Sequence, residues 1–200
     1  MNHNHSALIL VDLQNDFCPG GSLAVKEGDR VVPVVNELQK RFELIVATKD
    51  WHPAGHSSFE TLWPPHCVRE TAGAEFVAEL DTSRVARVFL KGTDVEIDSY
   101  SGFFDNEHRR ATGLGDYLKE RGVTDVVVVG LATDYCVKFT ALDAVMLGFN
   151  TTVVADACRG VEVEAGDTAR ALEEMAAAGV RIAESRQLLE ARALGVGRRA

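Results

Sequence analysis

Residues 48–66 read TKDWHPAGHSSFETLWPPH, and hold an aspartate and three histidines between three prolines and two tryptophans. Asp50, His52 and His66 offer one carboxylate and two imidazoles. That donor set suits Zn²⁺, Fe²⁺ or Mn²⁺ and leaves positions open for water or substrate, as catalytic metal sites do and structural ones do not. Pro53, Pro64 and Pro65 restrict the backbone so that ligands distant in sequence can meet, and the indole rings can wall a flat pocket. His56 is a fourth candidate, assigned as a hydrogen-bond partner behind the ligands rather than as a ligand.

A second chemistry centres on Cys136. The run GLATDYC passes from an apolar strand into a helical pattern, so the thiol is expected near a helix N-terminus, where the dipole favours thiolate and free N–H groups can hold an oxyanion. A single cysteine is more often a packing residue. Two further residues change that balance. Asp12 ends the apolar run in ILVDLQNDF and Lys91 ends RVFLK. A thiol needs a base to take its proton, and a carboxylate alone beside it disfavours a second negative charge. Lys91 supplies the balancing cation, while Asp12 can accept the thiol proton and return it to a leaving amine. Phe17, Leu23, Trp63 and Tyr100 lie on loops near these elements as candidate pocket walls. NDFCPGGSLAV is Gly-rich but lacks the spacing and the GK[ST] of a nucleoside-triphosphate loop.

These residues need a scaffold. Short apolar runs at 7–11, 44–48, 87–91, 126–130, 151–155 and 180–184 alternate with amphipathic stretches, predicting strands buried on both faces of a mostly parallel, six-stranded sheet in a three-layer α/β/α sandwich. Helices are expected in DRVVPVVNELQKRF, with Asp29 as N-cap, in TGLGDYLKERG, in DYCVKFTALDAVMLG and in AGDTARALEEMAAAG. Asp12, Asp50, His52, Lys91 and the LATDYC loop all follow strand ends. In an open parallel sheet that edge is the ligand crevice.

The chain has 200 residues, 46% of them hydrophobic, which fits one domain spanning 1–200, with frayed ends at 1–6 and 194–200. His3 and His5 are read as solvated imidazoles. The net charge of −9 argues against a nucleic-acid partner. No apolar run approaches the ~20 residues that span a bilayer, and no leader pattern is seen, so a cytoplasmic location is expected. Cys18, Cys67, Cys136 and Cys158 form no C-x-x-C pair, in keeping with a reducing compartment. A homo-oligomer is compatible with the sequence.

VDLQNDFCPGGSLAV, TKDWHPAGHSSF, WPPHCV, LKGTD with YSGF, and GLATDYCVKFTALDA, taken in order, resemble the signatures of the nicotinamidases of the isochorismatase-like hydrolases. The resemblance implies a Rossmann-like fold and hydrolysis of nicotinamide to nicotinate and ammonia. It implies Cys136 as nucleophile, Asp12 as base and acid, and Lys91 completing the triad, with Asp50, His52 and His66 holding a metal that anchors the pyridine nitrogen. It further implies a cis peptide at Leu131–Ala132, an oxyanion hole from the backbone N–H groups of Ala132 and Cys136, and ring contacts from Phe17, Trp63 and Tyr100. Alternatives are another amidase of the superfamily acting on a different small amide, and a non-catalytic metal- or ligand-binding protein. An Fe²⁺ oxygenase fits the ligand types but leaves the cysteine unemployed.

Overall fold

The computed structural model describes residues 5–190. Six strands form one sheet: β1 (Ser6–Val11), β2 (Leu44–Asp50), β3 (Arg87–Lys91), β4 (Asp125–Leu131), β5 (Asn150–Arg159) and β6 (Arg181–Ala183). Their order is β3-β2-β1-β4-β5-β6, and every pairing is parallel. All six expected strands are present. Helices α1 (Val31–Gln39), α2 (Ser58–Thr61), α3 (Leu114–Lys119), α4 (Lys138–Met146), α5 (Asp167–Ala177) and α6 (Ser185–Glu190) complete the sandwich.

Strand side chains alternate between two cores. Leu8, Leu10, Ile45, Ala47, Val127 and Val129 pack with Val31, Val35 and Leu38 of α1 and with Leu188 and Leu189 of α6. Ala7, Ile9, Val11, Val46, Val126 and Val128 face the other way, toward Leu114 and Leu118 of α3, Ala141 and Ala144 of α4, and Met175 of α5. Each fully buried Val, Leu or Ile contributes roughly 1.5–3 kcal/mol relative to exposure, so β1, β2 and β4 form the firm centre from which the site is hung.

Several local expectations are corrected. β3 is an edge strand with Val88 and Leu90 38% and 43% exposed, because an apolar run carries no information about its rank in the sheet. Asp29 does not cap α1. It lies inside a 3-10 turn, Gly28–Arg30, which runs directly into the helix and leaves no capping position. The TGLGDYLKERG helix shrinks to α3, which starts after Gly113 at φ +87°. The cysteine-bearing helix opens with a π-helical turn, Thr133–Val137, before α4. His5 and Ser6 are not frayed: Ser6 begins β1, and the His5 ring bonds the Gly122 carbonyl at 2.9 Å. His3 and residues 194–200 lie outside the described residues.

The strand order reverses between β1 and β4, whose following connections leave in opposite directions. That reversal opens the crevice. There the two strands approach so closely that a Cβ on Gly130, at φ +123°, would sit 2.1 Å from the Val11 carbonyl oxygen. Val11 leads into Asp12 and Gly130 leads toward Cys136, so this approach bears on the spacing of that carboxylate and that thiol. Gly130→Ala is expected to destabilise the protein by about 3 kcal/mol or more, as measured by denaturant unfolding. An unchanged midpoint would mean that the two strands are not held this tightly.

Candidate active site

Lys91, at the end of β3, is 2% exposed. Its Nζ lies 2.9 Å from Asp12 Oδ2, 2.9 Å from Asp50 Oδ1, 2.8 Å from the Ser99 carbonyl and 3.4 Å from Cys136 Sγ. Burial works against the ammonium, but Asp12 and Asp50 outweigh it and hold Lys91 well above its ordinary range. Both carboxylates arrive from ends of neighbouring strands. Asp12 follows β1 at φ +48°, a left-handed conformation that Asp tolerates better than most residues. Thr48 of β2 donates to its Oδ1 at 2.6 Å.

Burial also pushes the Asp12 carboxyl upward, and the Asp50 charge adds to this, against the opposing pull of Lys91. A carboxylate with a raised pKa is a better proton acceptor than an exposed one. The Cys136 thiol, 6% exposed, is likewise pushed well up by burial, with Asp12 and Asp50 adding to the effect and Lys91 opposing it. The thiol is harder to ionise than a helix dipole alone would make it, because desolvation and the two carboxylates act against one ammonium. It therefore needs a base, and the ligating atoms of Cys136, Asp12 and Asp50 lie within 4.8 Å of one another.

The candidate metal ligands meet as well. Donor atoms of Asp50, His52 and His66 lie within 4.8 Å of one another, and all three side chains are buried. The His52 Nδ1 donates to the Gly92 carbonyl at 2.9 Å and the His66 Nδ1 donates to the Pro64 carbonyl at 2.8 Å. Each bond fixes the tautomer that leaves Nε2 as a lone-pair donor, the arrangement that metal-binding histidines require. His52 Nε2 has no hydrogen-bond partner, and it lies 3.2 Å from Asp50 Oδ2. Burial lowers the His52 pKa, but Asp50 raises it more, so a cation between them would take the place of a proton. The residues fit a divalent cation. Gly92, at φ +62°, is required by the packing: a Cβ would stand 2.4 Å from His52 Cε1.

His56 stands outside this trio. Its Nδ1 meets Ser58 Oγ at 2.7 Å, its ring lies 4.2 Å from that of His52 between centroids, and its donor atom groups with His52 and Asp98.

A narrow slot of about 20 Å³ opens beside Cys136, lined by Phe17, Leu23, Asp50, Trp63, His66, Tyr100 and Ala132, and also by Asp98, Tyr135 and Val161. The first seven were singled out in the sequence, whereas the last three were not. Tyr135, beside the cysteine, was the one most open to inference; Val161 carries no signal. Trp63 Nε1 donates to the Tyr100 hydroxyl at 3.3 Å, and Tyr135 meets the Trp63 ring edge-on. Gln14 was also missed. Its amide takes the Asp50 N–H and donates to the Asp50 and Ala74 carbonyls, all at 2.8 Å, clamping the backbone that presents the metal carboxylate. The Leu131–Ala132 peptide is cis. A larger cleft, about 790 Å³, is lined in part by the 15–21 loop. It is lined in part by Cys18, whose thiol is pushed up to about 11 by burial and the Asp29 and Glu79 charges.

The isochorismatase domain model matches residues 6–187. The nicotinamidase of Escherichia coli is 48% identical over 195 residues, covering 86% of this chain and 92% of that protein. The structure of PnC1 from L. infantum in complex with nicotinate has 39% identity and a TM-score of 0.88, covering 92% of this chain and 95% of that one. The pyrazinamidase of Pyrococcus horikoshii in complex with zinc has 44% identity and a TM-score of 0.80, covering 90% and 99% respectively. The β3-β2-β1-β4-β5-β6 sheet, the nucleophile turn after β4 and these likenesses agree: the chain belongs to the isochorismatase family.

Proposed function

We propose that this protein hydrolyses nicotinamide to nicotinate and ammonia through a thioester on Cys136. The observation that carries the reading is the meeting of a buried thiol, a carboxylate and an ammonium at one point, beside a trio of metal donors and an aromatic slot. The nicotinamidase relatives and the nicotinate-bound structure supply the substrate class.

In this reading Asp12 takes the Cys136 proton as Sγ attacks the carboxamide carbon. The carbonyl π pair moves to oxygen, and the backbone N–H groups of Ala132 and Cys136 receive that oxyanion. Collapse breaks the C–N bond, and Asp12 returns its proton to the departing nitrogen, which leaves as ammonia. Water then adds to the thioester carbon while Asp12 accepts its proton. As the C–S bond breaks, Asp12 returns that proton to Sγ, and the product acid gives up its carboxyl proton to solvent and leaves as nicotinate. Lys91 keeps its charge throughout and offsets the negative charge shared by Asp12, Asp50 and the sulfur. Phe17, Leu23, Trp63 and Tyr100 hold the ring.

Asp50, His52 and His66 would hold one divalent cation, which supplies a Lewis-acid anchor for the ring nitrogen. The donor set accommodates zinc, iron or manganese, and the zinc-bound relative makes zinc the first to test. His56 acts behind His52. We place all of these residues in a single domain. A different small amide as substrate would have little use for this aromatic, metal-flanked slot.

Ammonia release from nicotinamide by metal-loaded protein is the direct test. Cys136→Ala should reduce it on the order of 10⁴-fold or more, and chelation should abolish it. A folded, metal-loaded wild type that releases no ammonia would move the assignment to another amide. His52→Ala and Gly92→Ala should both lower the metal content per chain, read by elemental analysis; full occupancy in both would refute the ligand assignment. Lys91→Met leaves two carboxylates buried without their cation and should cost about 3–5 kcal/mol in unfolding free energy as well as activity. A stable Lys91→Met protein would show that the cation is not what holds this cluster.

A further inference from the structure

Asp134 precedes the nucleophile by two positions in the π-helical turn and is 5% exposed, yet the steps above give it no part. Its Oδ1 accepts the Val161 N–H at 2.9 Å and its Oδ2 accepts the Glu162 N–H at 2.8 Å. Both amides belong to the loop that leaves β5. Glu162 turns that loop at φ +56°. Its carboxylate accepts the N–H groups of Gly166 and Thr168, each at 2.8 Å, at the start of α5. Gly160 closes the fit, since a Cβ there would lie 1.9 Å from Thr168 Oγ1 and 3.2 Å from Asp134 Oδ2. The loop is therefore held from two sides, by the nucleophile's turn and by α5. Val161 from this loop and Tyr135 from that turn both line the slot beside Cys136.

We propose that Asp134 is a positioning residue: its carboxylate locks the Val161 wall to the Cys136 turn, so that slot and sulfur form one rigid unit. Two backbone N–H bonds accepted by the two oxygens of one buried side chain fix the loop in both position and orientation. A ring in contact with Val161 is thereby held in register with Sγ, and misplacement by a fraction of an ångström is costly to reaction. The role as stated rests on the nicotinamide reading, but the anchor itself does not.

The test uses the metal-loaded full chain. In Asp134→Asn one backbone N–H faces an amide NH₂ instead of an oxygen. Its KM for nicotinamide should rise about tenfold, while metal content and the rate of Cys136 alkylation by iodoacetamide do not fall. Val161→Ala should raise KM in the parent but add little on top of Asp134→Asn, since the two act through one wall. Hydrogen exchange at the Val161 and Glu162 amides should speed up in Asp134→Asn, a readout that needs no substrate. Wild type inactive on nicotinamide with those amides protected would sink the substrate reading and leave the anchor standing. An unchanged KM, multiplicative effects of the two variants, or a loss of kcat alone that tracks the folded fraction would overturn the positioning role. Should Asp134→Asn fail to fold, Glu162→Ala releases the same loop from α5 at an exposed position. A KM raised without loss of kcat would then support the proposal, and an unchanged KM would refute it.

Discussion

The Lys91 ammonium sits where water does not reach, and its charge is tolerated only because two carboxylates, a carbonyl and a thiol surround it. A lone buried ammonium in such surroundings would lose its proton. Remove the lysine, and two carboxylates face each other beside a thiol in a low dielectric. Each partner thus requires the others, and each comes from a different part of the chain: Asp12 after β1, Asp50 at the end of β2, Lys91 at the end of β3, and Cys136 after β4. The cluster stitches together the carboxyl edge of the sheet.

Asp50 joins this cluster to the trio of candidate metal donors. One of its oxygens faces Lys91 and the other faces His52 and His66. Burial acts to raise its carboxyl, but His52 and Lys91 hold it well below the usual range, so it stays ionised for both roles. Gln14 fixes its backbone, and Gly92 makes room for the neighbouring imidazole. Side chains outside the candidate ligand set thus hold those within it in place. Asp16 acts in the same way, tying the Phe17 loop to the Cys67 amide, next to His66, through a 2.7 Å bond.

The sequence was most legible where period and position coincide. Continuous apolar runs gave every strand, because a strand buried by helices on both faces has no polar side to display. Residues placed just after those runs gave Asp12, Lys91 and Cys136, because a parallel sheet gathers its strand ends on one edge. Less legible were features that depend on packing across the chain. The exposure of β3, the 3-10 entry to α1 and the π-helical turn at the nucleophile all reflect neighbours contributed by remote segments. Val161 is the extreme case: an ordinary valine in a loop lines the slot, and the carboxylate that accepts its N–H, Asp134, lies 27 positions earlier.

By itself, the sequence determined the parallel α/β architecture, the chemical types gathered at its carboxyl edge, and the family resemblance that joins them. These follow from local periodicity and from residue identity, which do not change on folding. Only the tertiary structure decided the direction of the Cys136, Asp12 and Lys91 shifts. The same holds for the grouping of His56 with His52 and Asp98, and for the loops that wall the slot. Those properties depend on desolvation and on distances of a few ångströms between residues far apart in the chain, and no pattern within a single segment encodes them.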